Sequence, residues 1–362
     1  MDGISVFASR ARERNESVTE IEGIHSDRVT KWFEENIAGV QPPLSFARIP
    51  GGHSNLTYDV HDTAEGRFVL RRPPLGAVLA TAHDMGREHK IISGVAKSSV
   101  PVPPALGLCT DEAVNDAPFY VMTFVDGVVL DDRVVVDEHV PEVERMELGH
   151  DVIDILVRLH AVDVDQVGLG DLGRKENYLE RQLKRWHTQW EKSKTRELEA
   201  MDLVYEALSR DTPEQIGASI VHGDYRLGNM LTNTDHRIAA VLDWELCTLG
   251  DPLADLGYLL NNWVEPGETS PTARGGTAAP SEAPGFPTRA ELITRYEEQS
   301  GRDTSKIDYY RAFQYWRSSA IVEGVMSRYL KGVMGADADT DAFRAQIDGM
   351  AEAALERVRS LP

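Results

Sequence analysis

Residues 220–231 read IVHGDYRLGNML, and residues 238–245 read IAAVLDWE. Ile220 and Val221 suit the end of a buried strand, so Asp224 is expected to project from the loop that follows, with Asn229 one short turn further on. The run from Ile238 to Leu242 reads as a second buried strand with Asp243 at its end. Two carboxylates and an amide are thereby expected on one hairpin-like unit. Taken singly, an Asp or Asn near a turn is most often a turn residue or helix cap, and only the ordered combination carries information. Phosphoryl transfer needs a cradle for nucleotide phosphates, metal ions to offset their charge, and a carboxylate beside the attacking hydroxyl. Asp224 has the chemistry to orient the acceptor and take its proton, Asn229 to offer a neutral oxygen to Mg2+, and Asp243 to bridge metal and phosphates.

The surrounding pattern divides the chain. SDRVTKWFEENI suggests a helix capped by Ser26, with Val29, Trp32, Phe33 and Ile37 on one face. LSFARI, NLTYDVHD and GRFVLRRP are short β-like runs, the last stopped by Pro73 and Pro74. Helical MGREHKIISGV precedes VPVPPALGL, and PFYVMTFVDG is strand-like until Asp126-Gly127 turns the chain. From Pro141 the period becomes helical, with Met146, Val152, Ile155, Leu156 and Leu159 spaced as the face of a core helix. Helical character continues through YLERQLKRWHTQWEKS and ELEAMDLVYEALSR and resumes in DYYRAFQYWRSSAIVEGVMSRYL and DAFRAQIDGMAEAALERVRS. The stretch from Pro266 to Pro287 has few apolar anchors and reads as a flexible loop or linker. The expected organisation is a β-rich, nucleotide-binding lobe over residues 1–125 and a helical lobe over 126–362 that carries the catalytic loop and acceptor site.

Composition fits a folded globular chain, with 41% hydrophobic and 27% charged residues in 362. A net charge of −21 disfavours nucleic acid as the main partner. With no apolar run near the ~18 residues that span a bilayer, no membrane association is expected. Cys109 and Cys247 are too few for a disulfide framework and read as small buried residues, so a cytoplasmic location is expected. No G-x-G-x-x-G opens a strand–turn–helix unit, which sets aside a dehydrogenase.

HGD-x4-N followed by LDWE-x4-GDP-x2-DL resembles the aminoglycoside phosphotransferase and choline-kinase-like family of small-molecule kinases, over residues 45–330. The resemblance implies an α+β, bilobal, protein-kinase-like fold, ATP and Mg2+ as cofactors, and a small hydroxylated molecule as acceptor. It makes Asp224 the catalytic base, Asn229 and Asp243 the metal ligands, and His222 a brace of the catalytic loop, with Arg226 inside that loop. Asp251 would order the loop, although it also reads as a cap before Pro252; structural roles are the simpler reading for Asp251 and Asp255. In the front lobe Gly51, Gly52 and Ser54 would offer amides to phosphates, where a plain hairpin turn competes. Arg71 fills the place where protein kinases carry Lys, and Glu88 is its expected partner, with a solvated helix-face carboxylate as the competing reading. Thr123, Phe124 and Val125 would meet the adenine edge, with Val69 and Leu242 closing its faces.

Tyr309, Tyr310, Phe313, Trp316 and Arg317 share a helix that could line an acceptor pocket, although aromatic spacing more often marks packing. RRPPLG, HGDYRLGNML and LDWELCTLGDPLADLGYLL look closest to the kinase-like domains of acyl-CoA dehydrogenase family members, which implies a hydroxyacyl-CoA-like acceptor rather than an aminoglycoside. Arg71 leaves a nucleotide-binding module without transfer activity as the alternative. A protein kinase is disfavoured, because no APE-like segment or long activation loop separates Asp243 from Asp251.

Overall fold

The computed structural model describes residues 21–50, 55–75, 84–272, 277–332 and 339–361, so Gly51, Gly52 and Ser54 lie outside the described residues. The chain divides into two compact units. The first comprises the described residues up to Gly86 together with Leu106–Phe124. It holds helix α1 (Ser26–Asn36) and strands β1 (Ser45–Arg48), β2 (Leu56–His61) and β3 (Arg67–Arg72). Helix α2 (Met85–Val95) follows, then β4 (Ala105–Cys109), the short α3 (Glu112–Asn115) and β5 (Phe119–Thr123). The sheet runs in the order β1-β2-β3-β5-β4.

Alternation explains why this sheet forms. Along β2, Leu56, Tyr58 and Val60 are buried while Thr57, Asp59 and His61 face outward. The inward set meets Val29, Phe33 and Ile37 of the α1 region, and Trp32 meets Phe119 edge-on with centroids 4.9 Å apart. On the outer face Arg67 grips Asp59 through Nε and Nη2, at 3.0 and 2.7 Å. Ser26 is the first residue of α1 and His25 its cap, without a capping side-chain bond. The predicted Ser26 cap is therefore displaced by one residue.

The second unit comprises Arg87–Ala105 and everything from Val125. It contains β6 (Val128–Val129), α4 (Arg133–His139), α5 (Glu142–His160), α6 (Tyr178–Ser193), α7 (Glu199–Arg210) and β7 (Ser219–Val221). Next come β8 (Met230–Thr232), β9 (Ile238–Val241), β10 (Thr248–Gly250), α8 (Leu253–Asn262), α9 (Arg289–Ser300), α10 (Ile307–Leu330) and α11 (Thr340–Ser360). Arg87 of α2 donates to the Leu172 and Cys247 carbonyls at 3.1 and 2.9 Å, which fastens that helix to this unit.

On α5, Val152, Ile155, Leu156 and Leu159 are fully buried, while Met146 is 36% exposed. Helix α10 is buried over most of its circumference, Arg311, Gln314, Arg317 and Glu323 included, and α6, α7, α8 and α11 pack around it. Its aromatic stripe is core: Tyr309, Tyr310, Phe313 and Trp316 are buried. Their polar atoms are spent inside the protein, Tyr309 Oη on the Leu208 carbonyl and Trp316 Nε1 on that of Met201. The pocket-lining reading of these four is thus replaced by packing.

The stretch from Pro266 to Pro287 is no linker in its described part. Ser281 is buried and bonds both the N–H and the carbonyl of Val264. Trp263 donates to the Pro287 carbonyl at 2.8 Å and meets Phe286 edge-on. These few anchors are polar or lie at the ends of the stretch, so hydropathy alone hides them. Cys109 and Cys247 are free and buried, and burial pushes both thiols up. Among the described residues no helix is long and apolar enough to cross a membrane.

Candidate active site

Strand β7 pairs antiparallel with β10, Val221 facing Thr248 and Ser219 facing Gly250. The chain leaves β7 at His222 and turns at Gly223, whose φ of 85° lies in the left-handed region. A Cβ at Gly223 would come within 2.8 Å of the Leu246 carbonyl oxygen, so both space and conformation demand glycine. The turn is held from two sides. Asp255, fully buried on α8, accepts the His222 N–H at 2.6 Å and the Gly223 N–H at 2.8 Å. From α10, Arg317 Nη1 donates to the Gly223 carbonyl at 3.0 Å.

The His222 ring carries the order onward. Its Nδ1 accepts the Asp224 N–H at 3.2 Å, which leaves Nε2 to donate to the Leu242 carbonyl at 2.9 Å. The neutral tautomer is fixed by these two partners, and the ring braces the loop that bears Asp224 against the β9 exit.

Asn229 and Asp243 are brought close by the β8–β9 hairpin. Met230 pairs with Val241 in antiparallel register, and the Leu242 N–H reaches the Asn229 carbonyl at 2.8 Å. Asp243 is the next residue and takes a left-handed φ of 64°, a backbone cost of ~1 kcal/mol for a residue with a Cβ. Asn229 is buried and its Nδ2 donates to the Asp224 carbonyl at 2.8 Å. Asp224, Asn229 and Asp243 are therefore linked through successive backbone and side-chain bonds, as the hairpin-like reading expected. Asp224 Oδ1 is buried without a hydrogen-bond partner. Asn229 and Asp243 carry hard oxygen donors, so the residue types at this hairpin fit Mg2+. Among the described residues no group of three or more His, Cys, Asp or Glu side chains forms a metal cluster.

Arg226 lies over the loop, its Nε 3.6 Å from Asp224 Oδ1 and its Nη1 4.0 Å from Asp131 Oδ1. Burial pulls the guanidinium down, and the nearby Asp224, Tyr258, Asp131 and Asp243 together outweigh it and hold Arg226 above its ordinary value. Burial, and then the Asp224 charge, push the Tyr258 phenol up. Arg317 sits with its guanidinium carbon 5.3 Å from the Trp186 ring centroid and 5.9 Å from that of Tyr258.

Asp251 is engaged away from the catalytic loop. It accepts from the Leu253 N–H at the head of α8, the Ile216 N–H and the Tyr310 hydroxyl. Ordering of the loop, expected of Asp251 from the resemblance, falls to Asp255, and Asp251 is the cap. Behind Asp255 lies His160, Nε2 3.5 Å from Asp255 Oδ2 and Nδ1 2.8 Å from the Tyr296 hydroxyl.

On β3, strand alternation sends Arg71 and Arg72 to opposite faces. Arg72 is buried and bonds the Gly23 and Asn115 carbonyls, a structural role, which leaves Arg71 half-buried, opposite Tyr120 and Thr57 in the ladder. Glu88 is 2% exposed, which overturns its reading as a solvated carboxylate. Of the Thr123–Val125 segment, Thr123 ends β5 and the Phe124 N–H is engaged with the Arg67 carbonyl at 3.2 Å. Sequence reading missed Gly223 and Tyr258 and undervalued Asp255. Gly223 stands inside the quoted motif, and its invitation to positive φ was the available signal.

A β-sheet unit, a largely helical unit and a histidine-braced Asp loop beside an Asn/Asp hairpin define a protein-kinase-like phosphotransferase. The chain belongs to the phosphotransferase enzyme family, whose model matches residues 45–292. It is 33% identical over 295 residues to mouse acyl-CoA dehydrogenase family member 10, covering 80% of this chain and 27% of that protein. With chicken acyl-CoA dehydrogenase family member 11 it shares 31% identity over 336 residues, covering 91% of this chain and 42% of that one. The chain thus spans well under half the length of these relatives. A Ralstonia eutropha JMP134 structure, provisionally named an aminoglycoside phosphotransferase, superposes with a TM-score of 0.77 at 33% identity, covering 92% of this chain and 98% of that one. The aminoglycoside phosphotransferase APH(4)-Ia, in a ternary complex with ADP and hygromycin B, shares the fold with a TM-score of 0.60 at 18% identity, covering 92% and 98% of the two chains.

Proposed function

We propose that the chain is an ATP- and Mg2+-dependent phosphotransferase that acts on a hydroxyl of a small molecule. The observation that carries this reading is Asp224, whose buried Oδ1 accepts no hydrogen bond, on a loop tied by His222 and Asn229 to the residue before Asp243. Asp224 orients the acceptor hydroxyl and takes its proton as the new O–P bond forms and the bond from the γ-phosphorus to the bridging oxygen of ATP breaks, with ADP as the leaving group. Asn229 and Asp243 would hold Mg2+, which when bound offsets phosphate charge. Arg226 faces the transferred group, and Arg71, Glu88, the 51–54 segment and the Thr123–Val125 segment serve the nucleotide. Gly223, fixed by Asp255 and Arg317, sets the direction in which Asp224 leaves the strand.

The acceptor we favour is a hydroxyacyl-CoA-like metabolite rather than an aminoglycoside. Support comes from the acyl-CoA dehydrogenase family relatives and from cationic Arg226 beside Asp224, which suits an anionic acceptor better than a polycation. A cytoplasmic protein without a nucleic-acid partner accords with two free cysteines and the acidic surface. Acceptor-dependent ADP release against hydroxyacyl-CoAs, aminoglycosides, amino sugars and choline-like alcohols tests the reading. Asp224→Asn should abolish turnover and keep nucleotide binding; full turnover in that variant refutes the mechanism. Arg71 in place of Lys supports a second reading, a nucleotide-binding module without transfer, which predicts ATP binding and no release of ADP with any acceptor.

A further inference from the structure

Arg226 is placed between two carboxylates at distances too long for hydrogen bonds, Asp224 at 3.6 Å and Asp131 at 4.0 Å. Its side chain is 22% exposed, so the charge is only partly solvated. The position of Asp131 follows from the fold. Strand β6 pairs antiparallel with β8, Val128 facing Thr232 and Val129 facing Leu231. Continued by two residues, that register sets Asp131 across from Asn229. Neighbours on either side pin it: Leu130 is fully buried, and Asp132 caps α4 by accepting the Val135 N–H at 2.9 Å. Beneath the guanidinium is Gly228, where a Cβ would fall 2.0 Å from Arg226 Nη1 and 2.7 Å from Asp131 Oδ1. A side chain there would have to displace the guanidinium.

We propose that Asp131 is a positioning residue for the transfer reaction: through charge it holds Arg226 over Gly228, off the catalytic carboxylate and directed toward the group being transferred. Without it, the nearer carboxylate captures the guanidinium. An Arg226 closed onto Asp224 blocks the oxygen that must receive the acceptor proton and withdraws its donors from the phosphoryl oxygens, where preorganised charge matters most. The role assigned to Asp131 rests on the phosphotransferase reading of the site.

A double-mutant cycle on the full chain, read in turnover and in stability, tests it. Asp131→Asn should lower kcat for acceptor-dependent ADP release ~3- to 10-fold and leave KM for ATP within about twofold, a split expected when an interaction made in the transition state is lost. Asp131→Glu should restore kcat, and Asp131→Asn should add nothing in an Arg226→Ala background. Gly228→Ala, which unseats Arg226 while keeping every charge, should lower kcat only where Arg226 is present. Equal losses in both backgrounds, a loss confined to KM, or no rescue by glutamate would overturn the proposal. Urea unfolding of the parent, Asp131→Asn, Arg226→Ala and the double variant needs no turnover: the double variant's unfolding constant should depart from the product of the single effects by about twofold or more. A chain inactive toward every acceptor would end the phosphotransferase reading, whereas strictly additive unfolding effects would end the assignment of Asp131 to Arg226.

Discussion

Replacing Asp255 with Asn separates the two acids of the GDPLADL segment. Asp255 has no exposed surface and accepts two backbone N–H groups of the turn, at 2.6 and 2.8 Å. Hydrogen bonds to a charged acceptor contribute ~1.5–3 kcal/mol each. An asparagine can keep one acceptor, but its NH2 then faces the other N–H and leaves buried donors unmatched, so a loss of about 3–5 kcal/mol is expected for Asp255→Asn. For a unit of this size, ~2–4 °C per kcal/mol translates that into a fall of at least about 6 °C in the unfolding temperature. Turnover should fall with it, because the turn then keeps at most one of its two bonds to residue 255 and Asp224 loses its fixed exit from β7. Asp251→Asn is the control: its partners are the Leu253 and Ile216 amides and the Tyr310 hydroxyl, none of them in the loop. That variant should lose stability and keep kcat. Thermal unfolding by circular dichroism and ADP release in folded samples check both. Loss of turnover in the Asp251 variant with none in the Asp255 variant would refute the division of labour.

Gly223→Ala should cost ~1–2 kcal/mol for left-handed backbone alone, and its contact with the Leu246 oxygen should displace Asp224 enough to cut turnover by about 100-fold; an alanine variant with ordinary kcat would contradict the fitted turn. His160 is held below its ordinary value of 6.5 by burial, against the opposing pull of Asp255. Below pH 6.5 the unfolded chain therefore binds a proton that the folded one refuses, and stability drops on acidification. Urea midpoints at about pH 7.5 and about pH 5.5 should show a smaller drop in His160→Gln than in the parent. Asp154 is gripped by Arg295 through Nε and Nη2 at 2.6 and 2.7 Å, with Gln299 adding a third donor. Burial acts to raise this carboxyl, but those bonds outweigh it and hold it below the ordinary 3.8. Its contribution is present above pH 3.8 and lost as pH falls through the lower folded value, and Asp154→Asn should cost about 1 kcal/mol at neutral pH by urea unfolding.

Much of this architecture is legible because it is written in period. β2 alternates, α1 presents Val29 and Phe33 at helical spacing, and the quoted loop lies between two apolar strands, so the elements around the site follow from hydropathy. What escapes is whatever depends on which of two similar groups faces inward. Arg71 and Arg72 are chemically alike, and only the parity of β3 makes one structural. Asp251 and Asp255 stand four apart at the head of α8, so spacing offers each the same claim on the loop. The decision comes from the β7–β10 register: Ser219 pairs with Gly250. That pairing sets Asp251 beside the approach to β7, where it meets Ile216. One helical turn later Asp255 lies level with the exit from β7, where the amides of His222 and Gly223 emerge. A carboxylate is thus assigned its work by pairing with β7, a strand far upstream in the sequence, which no local pattern around it encodes. The same logic extends to Asp131, a surface acid by composition, whose place opposite Asn229 exists only once β6 has found β8.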